Sequence, residues 1–194
     1  MPILLLTWNV RGFGRREKWA SAANFKRKNG PNVVCFQETK LEEVPASFQR
    51  KIRNAGNCKM AYAPAVGTAG GLITLWDEDF FQASNVLISG RYIAIIGNII
   101  RHKFSNFLKS DDIPWCIGGD FNFFLNPTEK VGMSFNGAQI NMFRTFISDA
   151  GLVDLPMSDG SFTWSNNRDS PSLVHLDRFL LSSNFLLKFP SLFQ

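Results

Sequence analysis

Apolar runs of strand length recur along the chain, separated by stretches in which apolar residues return every three or four positions. Residues 3–9 (ILLLTWN) form the first run and end in an amide. Residues 15–28 set Trp19, Ala22, Ala23 and Phe25 among charges at helical spacing, and Asn29, Gly30 and Pro31 stop that helix. The pattern predicts further strands at 32–37, 58–63, 71–76, 80–88, 91–100, 115–119, 162–166 and 173–182. It predicts helices at 42–53 and 137–150, the latter capped by Asn136 and closed by Gly151, and a short amphipathic piece at 103–109. Many strands with few helices between them imply helices packed outside a sheet sandwich. With no repeat, linker or low-complexity tract, residues 1–194 read as a single domain.

A chain of 194 residues can bury a full core. Its 19 Phe residues are spread throughout and read as core. Cys35, Cys58 and Cys116 have no CxxC or Cys/His metal spacing, so they read as reduced thiols in an intracellular, nuclear or cytoplasmic protein. The opening MPILLLTWNV turns polar too soon for a secretory or membrane segment, so no membrane partner is expected. The net charge of +5 is unevenly placed. Residues 1–53 carry 11 Lys/Arg against 4 Asp/Glu, a balance of +7, and the remainder carries 10 against 12. Ten of the eleven fall in clusters: Arg11, Arg15, Arg16 and Lys18; Lys26, Arg27 and Lys28; and Arg50, Lys51 and Arg53. Such clusters suit phosphates, though solvated helix faces carry them equally.

Chemistry is suggested where buried strands end in acids or amides. Asn9 follows ILLLTW, Glu38 follows VVCFQ, and Asp120 and Asn122 follow WCIGG. Asp177 lies in the 173–182 run, two residues after His175 and on the same face of a strand. Oxygen donors of this kind suit Mg²⁺, which takes one or two carboxylates and keeps water for a phosphate substrate. An ionised Asp can deprotonate and orient an attacking water. Gly118 and Gly119 would let a phosphate approach the backbone. Each residue has an ordinary alternative: a strand-end Asp or Asn builds a turn, and Asp177 can pair with Arg178.

TWNVRG (7–12), QETK (37–40), GGDFN (118–122) and HLDRFLLS (175–182), in this order, resemble the endonuclease/exonuclease/phosphatase superfamily with the DNase I-like fold. WNVRGFGRREK, PWCIGGDFN, GLVDLP and FTWSNNRDSPS are similar in style to endonuclease domains of plant non-LTR (LINE-type) retrotransposons. The resemblance implies an α/β (α+β) four-layer sandwich, two packed mixed sheets flanked by helices. It implies phosphodiester hydrolysis with Mg²⁺ or Mn²⁺, and DNA as partner. By position, Glu38 would hold the metal and Asn9 the metal and phosphate. Asp120 would activate water, Asn122 would bind the phosphate, and Asp177 would orient a catalytic His. Arg11, Thr163 and Trp164 would face the substrate.

Three departures accompany the resemblance. The sequence stops at PSLFQ, before the Ser-Asp-His strand of the family, and is short near 97–110, where a Tyr-bearing loop is expected. Val174 stands where the family has Ser. His102 and His175 are the only histidines. Parallel side chains at i and i+2 do not converge on one phosphate, so His175 is no substitute for the family's His. A missing terminal strand would leave the 173–182 strand, with Phe179, Leu180 and Leu181, as an exposed edge open to self-association. The reading is therefore a metal-dependent DNA-nicking endonuclease of retrotransposon type. The alternatives are a decayed or truncated copy that keeps the fold and nucleic-acid binding, and a small-substrate phosphatase.

Overall fold

The computed structural model describes residues 4–53, 57–100, 114–132, 137–192 and 194. The expected Asn136 cap, the 103–109 piece and His102 lie outside them. The chain divides into two compact units, 1–108 and 109–194.

In the first unit, β1 (Leu5–Asn9) is followed by α1 (Arg16–Asn29), β2 (Val33–Gln37), α2 (Ala46–Arg53), β3 (Cys58–Val66) and β4 (Ala69–Asp77). A hairpin, β5 (Phe81–Ile88) and β6 (Ile93–Ile99), follows. The first four strands form one sheet in the order β1-β2-β4-β3. β1 and β2 are parallel, with Asn9 opposite Gln37, and β4 is antiparallel to both β2 and β3. Two parallel neighbours need a crossover, which α1 supplies. Its last turn ends at Gly30, whose N–H donates to the Lys26 carbonyl. α2 starts at Ala46 rather than 42, because Pro45 lacks an N–H and disfavours helical geometry at the buried Val44 before it.

The core of this unit is built on aromatics. Phe13 meets Phe36 edge-on at 5.1 Å, and Trp19 meets Phe48 edge-on at 5.5 Å. Ala22 and Ala23 of α1, Ile52 of α2, and Val34, Ile73 and Leu75 of the sheet complete it. Each aromatic pair adds about 0.5–1.5 kcal/mol beyond area burial. The Trp19 indole N–H is satisfied by the Phe13 carbonyl at 2.5 Å.

The second unit contains β7 (Cys116–Asp120), a 3-10 turn at Pro127–Glu129, β8 (Lys130–Val131), α3 (Gly137–Asp149) and β9 (Leu152–Asp154). β10 (Trp164–Ser165), β11 (Leu173–Val174), β12 (Asp177–Ser182) and α4 (Ser183–Lys188) follow. Its sheets run β7-β12-β9 and β10-β11-β8. Phe143 and Ile147 of α3 pack with the fully buried Leu180 of β12. The fold is thus mixed α/β with several sheets. Among the described residues, no helix is long and apolar enough to cross a membrane.

Two expectations for 173–182 are corrected here. The run is not one strand: it breaks at His175 and Leu176, and its two parts join different sheets. Backbone donors at the break are taken by groups outside either ladder. His175 N–H goes to the Glu129 carbonyl at 2.9 Å, and Leu176 and Asp177 N–H go to Thr163 Oγ1 at 2.9 and 3.0 Å. His175 therefore does not share a strand face with Asp177. Nor is this segment a sheet edge: β12 lies between β7 and β9, with Leu180 and Leu181 buried.

Candidate functional site

The first unit brings Asn9 and Glu38 together. Asn9 ends β1, and Glu38 is the first residue beyond β2, its parallel neighbour. Asn9 Oδ1 accepts the Arg11 N–H at 3.1 Å, folding the chain into a turn. Arg11 and Glu38 both have left-handed backbone, φ 47° and 51°. For L-residues that costs energy and persists only where the surroundings hold it. They do so here from both sides. Val10, Gly12 and Phe13 N–H donate to the carbonyls of Gln37, Glu38 and Thr39, while Thr39 and Lys40 N–H donate to Gly71 and Gly70. Gly71 (φ 83°) is required there, because a Cβ would stand 2.4 Å from Thr39 Oγ1. The half-buried Glu38 carboxylate accepts the Gly70 N–H at 3.4 Å. Lys18 Nζ donates to the carbonyls of Val10, Arg11 and Gly12 at 2.8, 3.1 and 3.0 Å, closing the turn from below.

The second unit brings Asp120, Asn122, Asp177 and Thr163 together. Asp120, at the end of β7, is the register partner of Asp177, at the start of β12. Asp120 Oδ1 accepts the Asn122 N–H at 2.9 Å, and Asn122 adopts φ 56° with its side chain exposed. Phe121 N–H donates to the Leu176 carbonyl, tying the turn to the break before β12. Thr163 Oγ1 accepts the N–H groups of Leu176 and Asp177, so this hydroxyl shapes the Asp177 backbone. Trp164, half-buried, pairs with Val174. Gly118 serves a different end from the one expected. Its missing Cβ leaves room for the Phe179 ring, whose Cε1 would lie 2.6 Å away, so the space is already filled by the protein.

Sequence reasoning missed an ionic network around the buried Arg178, behind these residues. Arg178 is 0% exposed, and it pairs with Glu129 and with Asp154 Oδ2 (2.6 Å), not with Asp177. Glu129 Oε2 also accepts the Leu125 N–H at 2.7 Å. Burial pushes the Glu129 carboxyl up, but the Leu125 N–H and Arg178 outweigh it and hold it below the usual range. Burial wins at Asp154, whose pKa is raised despite Arg178. His175 is held below its usual value by burial and by Arg178, and its Nε2 is buried without a hydrogen-bond partner. Only the adjacency of an Asp and an Arg was visible in the sequence, and it suggested the wrong pair.

The basic excess is also relocated. α1 and α2 both run back from the Asn9/Glu38 end of their sheet, because β1, β2 and β3 are parallel to one another. Their last turns put Lys26, Arg27, Lys28, Arg50 and Lys51 at the opposite end of that sheet. Cations there complement the helix dipole. Lys26 is buried, and Lys18 is spent on carbonyls. Arg11, Arg15, Arg16 and Lys40 are exposed cations near Asn9 and Glu38.

As donors, one carboxylate and one carboxamide at neighbouring strand ends fit the sparse set Mg²⁺ accepts. Among the described residues, no group of three or more His, Cys, Asp or Glu could hold a metal.

A model of the Endonuclease/Exonuclease/phosphatase family matches residues 6–193, and the chain belongs to that family of hydrolytic nucleases and phosphatases. No curated protein matches it. Among solved structures, an AP endonuclease from Archaeoglobus fulgidus is similar at TM-score 0.66 and 14% identity, over 94% of this chain and 88% of that one. An AP endonuclease from Leishmania major gives 0.62 and 16%, over 91% and 78%. TDP2 from Caenorhabditis elegans gives 0.57 and 17%, over 93% and 63%. These likenesses show a shared fold.

Proposed function

We propose that this protein hydrolyses phosphodiester bonds of DNA with a divalent metal, as a nicking endonuclease of the retrotransposon type. The observation that carries this reading is the pairing of Asp120 with Asp177 in register, beside an Asn122 turned outward by Asp120 itself. In a chain of this family, that arrangement offers an acid for water, an amide for a phosphate oxygen, and a second acid beside them. The AP endonucleases and TDP2 support DNA rather than a small phosphate ester as substrate. The basic clusters give little support, since most of them lie away from Asn9 and Glu38.

Asp120 accepts the proton of the attacking water and aligns it. Asn122 donates from Nδ2 to a phosphate oxygen. Asn9 and Glu38 would hold Mg²⁺ or Mn²⁺, which neutralises phosphate charge when bound. Arg11, exposed beside Asn9, faces the DNA backbone. Thr163 sets the Asp177 backbone, and Trp164 flanks it on the substrate side. Among the described residues the one histidine, His175, is buried and partnerless at Nε2, and takes no part.

Supercoiled-plasmid nicking with Mg²⁺ tests the reading, with EDTA and Asp120→Ala as controls. Nicking that both controls abolish is expected. Nicking that survives Asp120→Ala, or none above background, overturns it.

A further inference from the structure

We infer that Glu129 and Arg178 are positioning residues: an ionic link between a buried guanidinium and a half-buried carboxylate that holds the Asp120–Asn122 turn against the start of β12, where Asp177 sits. This deepens the hydrolytic reading and rests on it. Side chains alternate along a strand, so Arg178 leaves β12 on the face opposite Asp177. There its guanidinium meets Glu129, Asp154 and the His175 carbonyl (3.3 Å). Glu129 stands at the far end of the loop that begins at Asp120. It gathers that loop through the Leu125 N–H and through Asn126 Nδ2 at 3.2 Å. Glu129 also accepts His175 N–H through its carbonyl, so it grips the break before β12 by backbone and side chain alike. The two segments that carry Asp120, Asn122 and Asp177 thus share one anchor.

The two acids of the network are not equivalent. Asp154 ties Arg178 to β9, whose register partner on β12 is Leu180, three residues beyond Asp177. It makes no contact with the loop of Asp120 in the hydrogen bonds described. Its raised pKa and the lowered pKa of Glu129 also make Glu129 the steadier counter-charge for Arg178. A general stabilising role would make both acids matter alike. A positioning role makes Glu129 matter to the turn and Asp154 to the sheet.

The experiment compares Glu129→Gln with Asp154→Asn in the full chain. Gln keeps one oxygen for the Leu125 N–H but removes the charge that holds Arg178 and the acceptor for Asn126 Nδ2. Hydrogen exchange by mass spectrometry over 119–126 is read together with thermal midpoint and plasmid-nicking kcat and KM. Glu129→Gln should lose protection in 119–126 and about 10²-fold in kcat, the scale of a 1 Å misplacement, with KM little changed. Asp154→Asn should lower the thermal midpoint yet keep that protection, with kcat within about threefold. Equal loss of protection in both variants, or none in Glu129→Gln, overturns the inference. If wild type does not nick, the hydrolytic reading fails by itself, and the exchange measurement still decides whether the link holds the turn.

Discussion

Replacing Glu38 by Gly and by Ala separates the cost of its backbone from the use of its carboxylate. At φ 51° an L-residue pays about 1–2 kcal/mol that Gly does not. Gly returns about 0.5–1 kcal/mol of this through the extra freedom of the unfolded chain. Both variants lose the Glu38–Gly70 contact, which at 3.4 Å is long and worth at most about 0.5 kcal/mol. Glu38→Gly should therefore equal wild type or exceed it by up to about 1 kcal/mol, whereas Glu38→Ala should be about 0.5–1 kcal/mol less stable than Glu38→Gly. Urea unfolding followed by tryptophan fluorescence resolves such a difference if the slopes match. Both variants should lose Mg²⁺-dependent nicking. An Ala variant as stable as the Gly variant would refute the claim that the five surrounding backbone hydrogen bonds force Glu38 into this conformation.

Other outcomes follow from the same geometry. Gly71→Ala adds a Cβ 2.4 Å from Thr39 Oγ1 at φ 83°, and should cost about 2–4 kcal/mol in urea unfolding; a loss under 1 kcal/mol would count against the strap around Glu38. Calorimetric titration should find weak Mg²⁺ binding to wild type and weaker binding to Glu38→Gln; equal binding excludes Glu38 as a ligand. His175 has a folded pKa below 6.5, so the unfolded chain takes up this proton first as pH falls. Its contribution is present above pH 6.5 and lost below it, and His175→Gln should flatten the fall in stability from pH 7 to 5. Burial raises the Cys35 thiol to about 11, so iodoacetamide at pH 8 should label Cys35 only on unfolding, read by peptide mass spectrometry.

Elements bounded by strong local signals were legible in the sequence. Asn29-Gly30-Pro31 closed α1 where expected, and Gly151 sits just beyond α3. The strand-end residues were legible as well, because an acid or amide after an apolar run is a local pattern. The 173–182 run was misread because its break depends on Thr163 and on Glu129, 13 and 46 residues before His175 and its neighbours in the chain. No periodicity within the run carries that information. Arg178 was misread for the same reason: its partners lie 24 and 49 residues away. The basic clusters were visible, but their placement needed the parallel course of β1, β2 and β3, which sets where each helix ends. Gly118 looked like an opening for substrate until the Phe179 ring was found standing on it.

Lys18 has all three ammonium protons committed to three successive carbonyls. A guanidinium is planar and cannot aim three donors at such a tripod, so arginine at this position would leave a carbonyl unserved. The amine is also a chemical reporter. While the turn after Asn9 is closed, Lys18 is shielded from acylating reagents, and each opening of the turn releases it. The rate at which Lys18 acylates, set against exposed Lys28 in the same digest, would therefore clock the opening of that turn in the native protein, without any substrate or metal being present.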